Sequence, residues 1–239
     1  MLKKFQSYYK HFFIFVSLFL VCLIPSGATH SANGWSDPTA ISGTVGSSYS
    51  PHLVVDSRGT LHVLWIDWVD LTAHPPYILY ASKPAGGSWT PYTYVGGVQM
   101  GDMPAIAVGL DDTIHIVWTS DDFDGPIKYI SRSVNGVWSA VQLVSSSLIG
   151  NNNPDVTVAP NGTVHVAWNY SNVHDPDNRG IYHAMKPQGG SWTTPIPIHK
   201  DRYALNCLIT TDPANSVHLL LDGKDNDDDG KIDFPDDPG

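Results

Sequence analysis

Short runs of alternating apolar and polar residues recur along the chain, each closed by Gly, Pro, Asn or Asp. The clearest is Gly59-Thr60-Leu61-His62-Val63-Leu64-Trp65. It returns as Thr113-Ile114-His115-Ile116-Val117-Trp118, as Gly162-Thr163-Val164-His165-Val166-Ala167-Trp168, and more weakly as Ser216-Val217-His218-Leu219-Leu220-Leu221. The four histidines are 53, 50 and 53 residues apart. A fixed period of about 40–50 residues marks a propeller or another repeat array.

Each unit reads as four short strands. The first follows a proline: Pro51 to Val55, Pro104 to Val108, Pro154 to Val158. A turn rich in Asp, Asn and Gly leads to the histidine strand, as hairpin chemistry requires. The third runs Ile78 to Ala81, Ile127 to Ile130 and Ile181 to Ala184. The fourth is expected at Gly87 to Thr90, Gly136 to Ser139 and Gly190 to Thr193, with apolar alternation after each. Short Val-, Ile-, Thr-, Tyr- and Trp-rich runs between turn residues are strand signals. In the histidine strand, Leu61, Val63 and Trp65 point one way, while His62 and Leu64 point the other. Both faces are mostly apolar, so each sheet must be covered on both sides. Four-stranded antiparallel sheets stacked face to face are blades of an all-β propeller.

The phase of the repeat is offset. Asn33 to Pro38 looks like a fourth strand with no strands before it, and the segment from Leu208 to Leu221 supplies only two strands. This makes three full blades plus partial pieces over residues 33–221. Closed propellers carry about 4–8 blades. Either the ends join in a strained fourth blade, or the chain is a fragment of a larger propeller; the fragment is the expectation.

The N-terminus carries a different signal. Lys3, Lys4 and Lys10 precede the apolar run Phe12 to Ile24, and Pro25-Ser26-Gly27-Ala28 offers small residues for cleavage. This is the order of a secretory signal peptide over residues 1–28. The run is shorter than the roughly 20 residues of a membrane helix; an uncleaved anchor is the competing reading. The mature chain is expected to be secreted or held at the cell surface, with no membrane span after cleavage.

Cleavage leaves 10 Lys and Arg against 23 acids. An acidic chain without a basic stripe argues against nucleic-acid binding. All 23 acids are aspartate. Aspartate favours turns and glutamate favours helices, so this fits a chain with little helix. It also removes one common general acid or base. Of the two cysteines, only Cys207 survives cleavage, and its apolar surroundings point to a buried structural thiol.

The units resemble the sialidase-like superfamily, whose Asp-box reads Ser-x-Asp-x-Gly-x-Thr/Ser-Trp. Ser82 to Trp89 fits that frame with Pro84 at the Asp position. Met185 to Trp192 has Met185 for the serine and Pro187 for the aspartate, and Ser133 to Trp138 is two residues short. The resemblance implies a propeller. For sialidases it further implies an arginine triad, a tyrosine nucleophile with a glutamate partner, and an aspartate acid/base. The mature chain has only Arg58, Arg132, Arg179 and Arg202 and lacks glutamate, so that centre is not complete.

Loops between second and third strands share a face with the connections from fourth to first strands. They carry Asp67 and Trp68 in the first blade, Asp121 and Asp122 in the second, and Tyr170, Asp175 and Arg179 in the third. Aromatics beside carboxylates suit saccharides: rings stack on C–H groups and Asp accepts from hydroxyls. Asp is also a default loop residue. Trp68 and Tyr170 are the expected stacking pair. The histidines recur once per blade, which points to packing or hydrogen bonding inside each blade and away from a shared metal.

The C-terminal segment 222–239 holds the sharpest motif. Asp225, Asp227, Asp229 and Asp233 occupy positions 1, 3, 5 and 9 of a twelve-residue loop, with Gly230 at 6. The Lys231 carbonyl stands at position 7 and Asp236 at 12. This is the pattern of an oxygen cage for Ca²⁺. It resembles the calcium loops of dockerin-like and thrombospondin-type-3-like segments. The expected function is a non-catalytic recognition or scaffold module binding extracellular glycans or surface proteins. A glycoside hydrolase, whole or partial, is the alternative. A purely structural surface segment is the third reading.

Overall fold

The computed structural model describes residues 38–43, 46–68, 76–97, 101–120, 125–145, 150–172, 174–200 and 206–221. Every strand falls in the compact unit Ala40–Gly239; the other unit, Met1–Thr39, lies almost wholly outside the described residues, and with it the expected signal peptide.

The fold is all-β, as the repeat requires. The first blade is β1 (Ser48–Val55), β2 (Leu61–Asp67), β3 (Tyr77–Lys83) and β4 (Thr93–Tyr94), hydrogen-bonded in that order. The second is β5 (Asp102–Val108), β6 (Ile114–Thr119), β7 (Ile127–Arg132) and β8 (Gln142–Leu143). The third is β9 (Asn151–Val158), β10 (Val164–Tyr170), β11 (Gly180–Lys186) and β12 (Ile196–His199). A two-stranded piece follows, β13 (Cys207–Thr211) with β14 (Val217–Leu221). All described pairings are antiparallel, and the first strands β1, β5, β9 and β13 lie side by side from blade to blade.

Alternation along the histidine strands sorts their side chains into two cores. Val63 and Trp65 pack with Leu79 and Ala81 on one face of the first blade. Leu64 turns the other way and meets Ile114, Ile116 and Trp118 of the second blade. Val117 and Tyr129 then meet Val156, Val166 and Trp168 of the third. Ala167 and Ile181 meet Ile209 and the buried Cys207 of the last piece. Each seam between blades is thus an apolar layer, the dominant stabilising term of such a stack.

Two boundaries differ from expectation. The first strands begin before their prolines. Ser50, Met103 and Asn153 each adopt positive φ (50°, 50° and 47°) immediately ahead of Pro51, Pro104 and Pro154, and the pairing register shifts there. A bulge removes the need for the proline's missing N–H, so the strand runs on. The fourth strands begin later than expected. Gly87 to Thr90, Gly136 to Ser139 and Gly190 to Thr193 form the turn and its exit. In all three the hydroxyl of Thr90, Ser139 or Thr193 accepts the N–H of Ser82, Ser131 or Met185, at 3.0–3.1 Å. A side-chain oxygen there replaces the carbonyl that a ladder would use.

Each histidine of the three full blades spends its Nδ1 inside its own blade. His62 Nδ1 lies 2.6 Å from the Tyr80 hydroxyl, His115 Nδ1 2.8 Å from Tyr129, and His165 Nδ1 3.1 Å from His183 Nε2. Each pair spans strands two and three of one blade and is buried or nearly so. The weaker fourth copy, His218, is exposed and reaches Asp212 at 3.2 Å.

Candidate functional site

The β10–β11 connection builds a hollow on the face that carries the strand two to three loops. β10 ends on Tyr170, and a single 3-10 turn, Pro176–Asn178, folds the loop back toward β11. Proline at its start suits that turn, and Asp177 lies in its first turn. The Tyr170 hydroxyl donates to Asp175 Oδ2 at 3.3 Å. Asn178 Nδ2 donates to both Asp175 oxygens, at 2.9 and 3.2 Å. Arg179 Nε donates to the Asn172 carbonyl at 3.2 Å, which pins the far side of the loop. Tyr182 on β11 stands edge-on to Tyr170, with ring centres 5.4 Å apart, and donates to the Asn178 carbonyl.

These groups line a cavity of about 270 Å³, floored by Trp168 and Asn151. Trp168 Nε1 donates to Asn151 Oδ1 at 2.7 Å, which fixes the floor. The walls combine partly exposed tyrosine rings with a carboxylate and amides. Burial pushes the Tyr182 hydroxyl pKa up, helped by Tyr170 and Asp175, so this phenol stays a protonated donor at neutral pH.

The expected site residues divide into three groups. Tyr170, Asp175 and Arg179 come together in this one loop. Asp67 ends β2 in the first blade and Trp68 follows it. There Asp67 is fully buried, with Oδ2 accepting from Ser48 Oγ at 2.6 Å and from Trp65 Nε1 at 3.2 Å. Its carboxylate closes the end of the blade and does not face outward as a loop residue would. Trp68 is held by its backbone N–H to the Ser47 carbonyl, and its indole hydrogen-bonds Tyr49. No described contact joins Trp68 to Tyr170. Asp121 and Asp122 lie outside the described residues, as do Asp225, Asp227, Asp229, Lys231, Asp233 and Asp236. Among the described residues no group of three or more His, Cys, Asp or Glu is placed to hold a metal.

Asn151, Asn178 and Tyr182 were not singled out from sequence. Tyr182 carried a signal, since it alternates with buried Ile181 on a strand already recognised. A second missed residue is Asp102, at the start of β5 beside the strained Met103. Asp102 Oδ1 accepts the Met103 N–H at 2.7 Å, while its buried Oδ2 has no partner. Its cross-strand neighbour Thr119 and the indole N–H of Trp118 are likewise buried without partners. Burial raises the Asp102 pKa and the Met103 N–H lowers it, with burial prevailing. Asp102 also helps burial raise the pKa of Tyr49, so the two are neighbours near the loop-bearing end of the first strands.

No family model matches the chain, and a search of curated proteins finds no relative. Solved structures do share its architecture. A Hadza microbial sialidase is 14% identical with a TM-score of 0.53, over 73% of this chain and 42% of that one. An α-L-arabinofuranosidase from Podospora anserina, in complex with cellotriose, is 12% identical at TM-score 0.48, over 77% of this chain and 62% of that one. A fucose lectin from Kordia zhangzhouensis, in complex with methyl-fucoside, is 14% identical at TM-score 0.41, over 64% of this chain and all of the lectin. The chain spans less than half the length of the sialidase. The likeness defines a class: an array of four-stranded propeller blades.

Proposed function

We propose that this protein is an exported, non-catalytic carbohydrate-recognition module whose ligand sits on the loop-bearing face of its third blade. One observation carries this: the hollow between Tyr170 and Tyr182, with Asp175 and Asn178 at its rim. Tyrosine rings present an apolar face to sugar C–H groups, while the carboxylate and amides pair with hydroxyls. The sialidase fold likeness supports a saccharide as the ligand class. Ca²⁺ held by Asp225, Asp227, Asp229, the Lys231 carbonyl, Asp233 and Asp236 belongs to the same proposal, on sequence pattern alone. Calorimetry of the full chain against an Asp227→Ala, Asp229→Ala variant tests that part. Equal heats would remove the metal from the proposal.

The main test is a glycan array probed with the full chain, then titration of the glycans retained. Tyr170→Ala with Asp175→Ala should weaken binding by about tenfold or more, the cost of a lost stacking ring and a charged acceptor. A Trp68→Ala variant reports whether the first blade's loop shares the ligand. Undiminished binding in the Tyr170, Asp175 double variant overturns the assignment of the site. An array that retains nothing overturns the function.

One observation favours a second reading, a glycoside hydrolase: the buried, unpartnered oxygen of Asp102, a carboxyl whose pKa burial raises against the Met103 N–H. A raised pKa is the direction a proton donor to a leaving group needs, and a second carboxylate must flank the bond. Release of reducing ends by the full chain, abolished in Asp102→Asn, would replace the recognition function with this one.

A further inference from the structure

The opposite end of the blades, where the strand one to two turns lie, carries a larger cavity of about 510 Å³ between the second and third blades. That volume lies within the range of small-molecule sites, about 300–1,000 Å³. The four equivalent turns differ in the side chains that could close it.

In the first blade, Asp56 sits six residues before the histidine. Its Oδ1 accepts the N–H groups of Arg58 and Thr60, and its Oδ2 faces His62 Nε2 at 3.3 Å. The last piece repeats this: Asp212 Oδ1 accepts from Ala214 and Ser216, and Oδ2 faces His218 Nε2 at 3.2 Å. In the second blade the same position is Gly109. A Cβ built on Gly109 would lie 3.4 Å from His115 Nε2, so the missing side chain is the one that would have met this nitrogen. A second absence widens the gap. Asp112 bridges to Ser57 of the first blade at 2.8 Å, and Asn215 bridges to Asn161 of the third at 2.8 Å. At that place in the third blade stands Gly162, which has no side chain to reach the second.

The chemistry left facing the cavity is specific. The Tyr129 phenol lies 2.8 Å from His115 Nδ1, and Ser131 lines the cavity beside it. In the first blade Tyr80 and His62 repeat this pair, and the acceptor-only Asp56 carboxylate requires a proton on His62 Nε2. The same Tyr–His pairing at Nδ1 leaves the N–H of His115 on Nε2, facing the cavity. Burial, together with Lys186 and against Asp111, brings the His115 pKa down to about 4, so the ring is a neutral donor. Lys186 adds an ammonium that uses one proton on the Gly190 carbonyl. Asp111, whose Oδ1 is held by the Thr113 N–H, adds an acceptor, and Val158, Pro160 and Leu110 add apolar wall.

We propose that this interblade cavity binds a hexuronic acid, its carboxylate taking the place beside His115 and Lys186 that the Asp56 carboxylate takes beside His62 and Arg58. Asp111 then accepts from a ring hydroxyl, a role that a simple carboxylate such as acetate cannot fill. The site is separate from the Tyr170 hollow and does not depend on it.

Saturation-transfer NMR of the full chain tests this with D-glucuronate and D-galacturonate as probes, against D-glucose, D-galactose and acetate. At least one uronate should bind about tenfold or more tighter than its neutral sugar and than acetate, the usual worth of a charge-assisted pair. Gly109→Asp restores the first-blade arrangement and should abolish uronate binding. The nearest atom to its new Cβ is the flexible Asp111 Oδ1 at 2.8 Å, which can swing away. Lys186→Gln should weaken binding several-fold, and Tyr170→Ala should leave it unchanged. Neutral sugars binding as well as uronates, full binding in a folded Gly109→Asp variant, or no transfer to either uronate overturns the proposal. Undiminished array binding in the Tyr170, Asp175 double variant would count against the Tyr170 site and leave this one standing.

Discussion

Replacing Asp56 tests how the strand one to two turn is held. Its carboxylate is buried and accepts three hydrogen bonds within 3.0 Å: the N–H of Thr60 at 2.8 Å, the N–H of Arg58 at 3.0 Å and Arg58 Nη2 at 2.9 Å. His62 adds a longer fourth contact. The Arg58 side chain is 54% exposed, so its ion pair is screened and contributes little. The two backbone bonds and the buried histidine contact carry the rest. At roughly 1 kcal/mol each, Asp56→Ala should destabilise by about 3 kcal/mol. Asp56→Asn keeps an acceptor for the two N–H groups and should cost about 1 kcal/mol, mainly at His62. Burial pushes the Asp56 pKa up, but the Thr60 N–H, Arg58 and His62 outweigh it and hold the carboxyl well below the usual range. A carboxyl with a depressed folded pKa binds protons first in the unfolded chain. Its contribution is therefore whole above the unfolded value of about 3.9 and fades as pH falls toward the folded one. Urea unfolding followed by tryptophan fluorescence, at pH 7 and pH 3, reads both effects. The gap between wild type and Asp56→Ala should be widest at pH 7 and narrower at pH 3. An equal gap at both pH values, or a gap under about 1 kcal/mol at pH 7, would refute the assignment of these bonds to the ionised form.

Three further outcomes follow from the packing. Gly101→Ala should destabilise by about 1–3 kcal/mol, because its Cβ would lie 2.2 Å from Cδ1 of the wholly buried Trp118, while Gly43→Ala, with nothing within 4 Å, should not show that clash. Parallel urea titrations compare them. Asn151→Leu strips Trp168 Nε1 of its 2.7 Å acceptor and should cost about 1–3 kcal/mol; Asn151→Asp, which keeps an acceptor, should recover much of it in the same assay. The buried Cys207 thiol should resist alkylation in the native chain and react readily in urea, read by mass spectrometry of its peptide.

The blade was legible because its second and third strands are apolar on both faces, a demand that only stacked sheets satisfy. The histidine spacing then counted the units. Strand ends were less legible. Proline before Val55, Val108 and Val158 reads as a boundary, yet positive φ at Ser50, Met103 and Asn153 carries each strand past it. Gly-Ser-Trp reads as a strand start, yet the hydroxyls of Thr90, Ser139 and Thr193 turn it into the exit of a turn. Tyr170, Asp175 and Arg179 were found because they crowd one loop. Asn151 and Asn178 were not, because a lone amide has no periodicity. Asp67 reads as a loop carboxylate, and only its burial against Trp65 and Ser48 shows otherwise. The interblade cavity is defined by side chains that are missing at Gly109 and Gly162, and an absence becomes visible only when the four turns are laid over one another.

Gly59, Asp112, Gly162 and Asn215 all hold the same left-handed turn position, with φ between 59° and 80°. Their backbones treat the units as copies, but among the described residues Asp112 and Asn215 are the two that reach back to the preceding blade. The units are therefore addressed as well as repeated. Exchanging the second and third would leave every hairpin whole, yet Gly162 would now follow Ser57 and the open seam would move one place toward the N-terminus. Where such a stack gapes is decided by one or two letters in its turns, independently of the sheets beneath it.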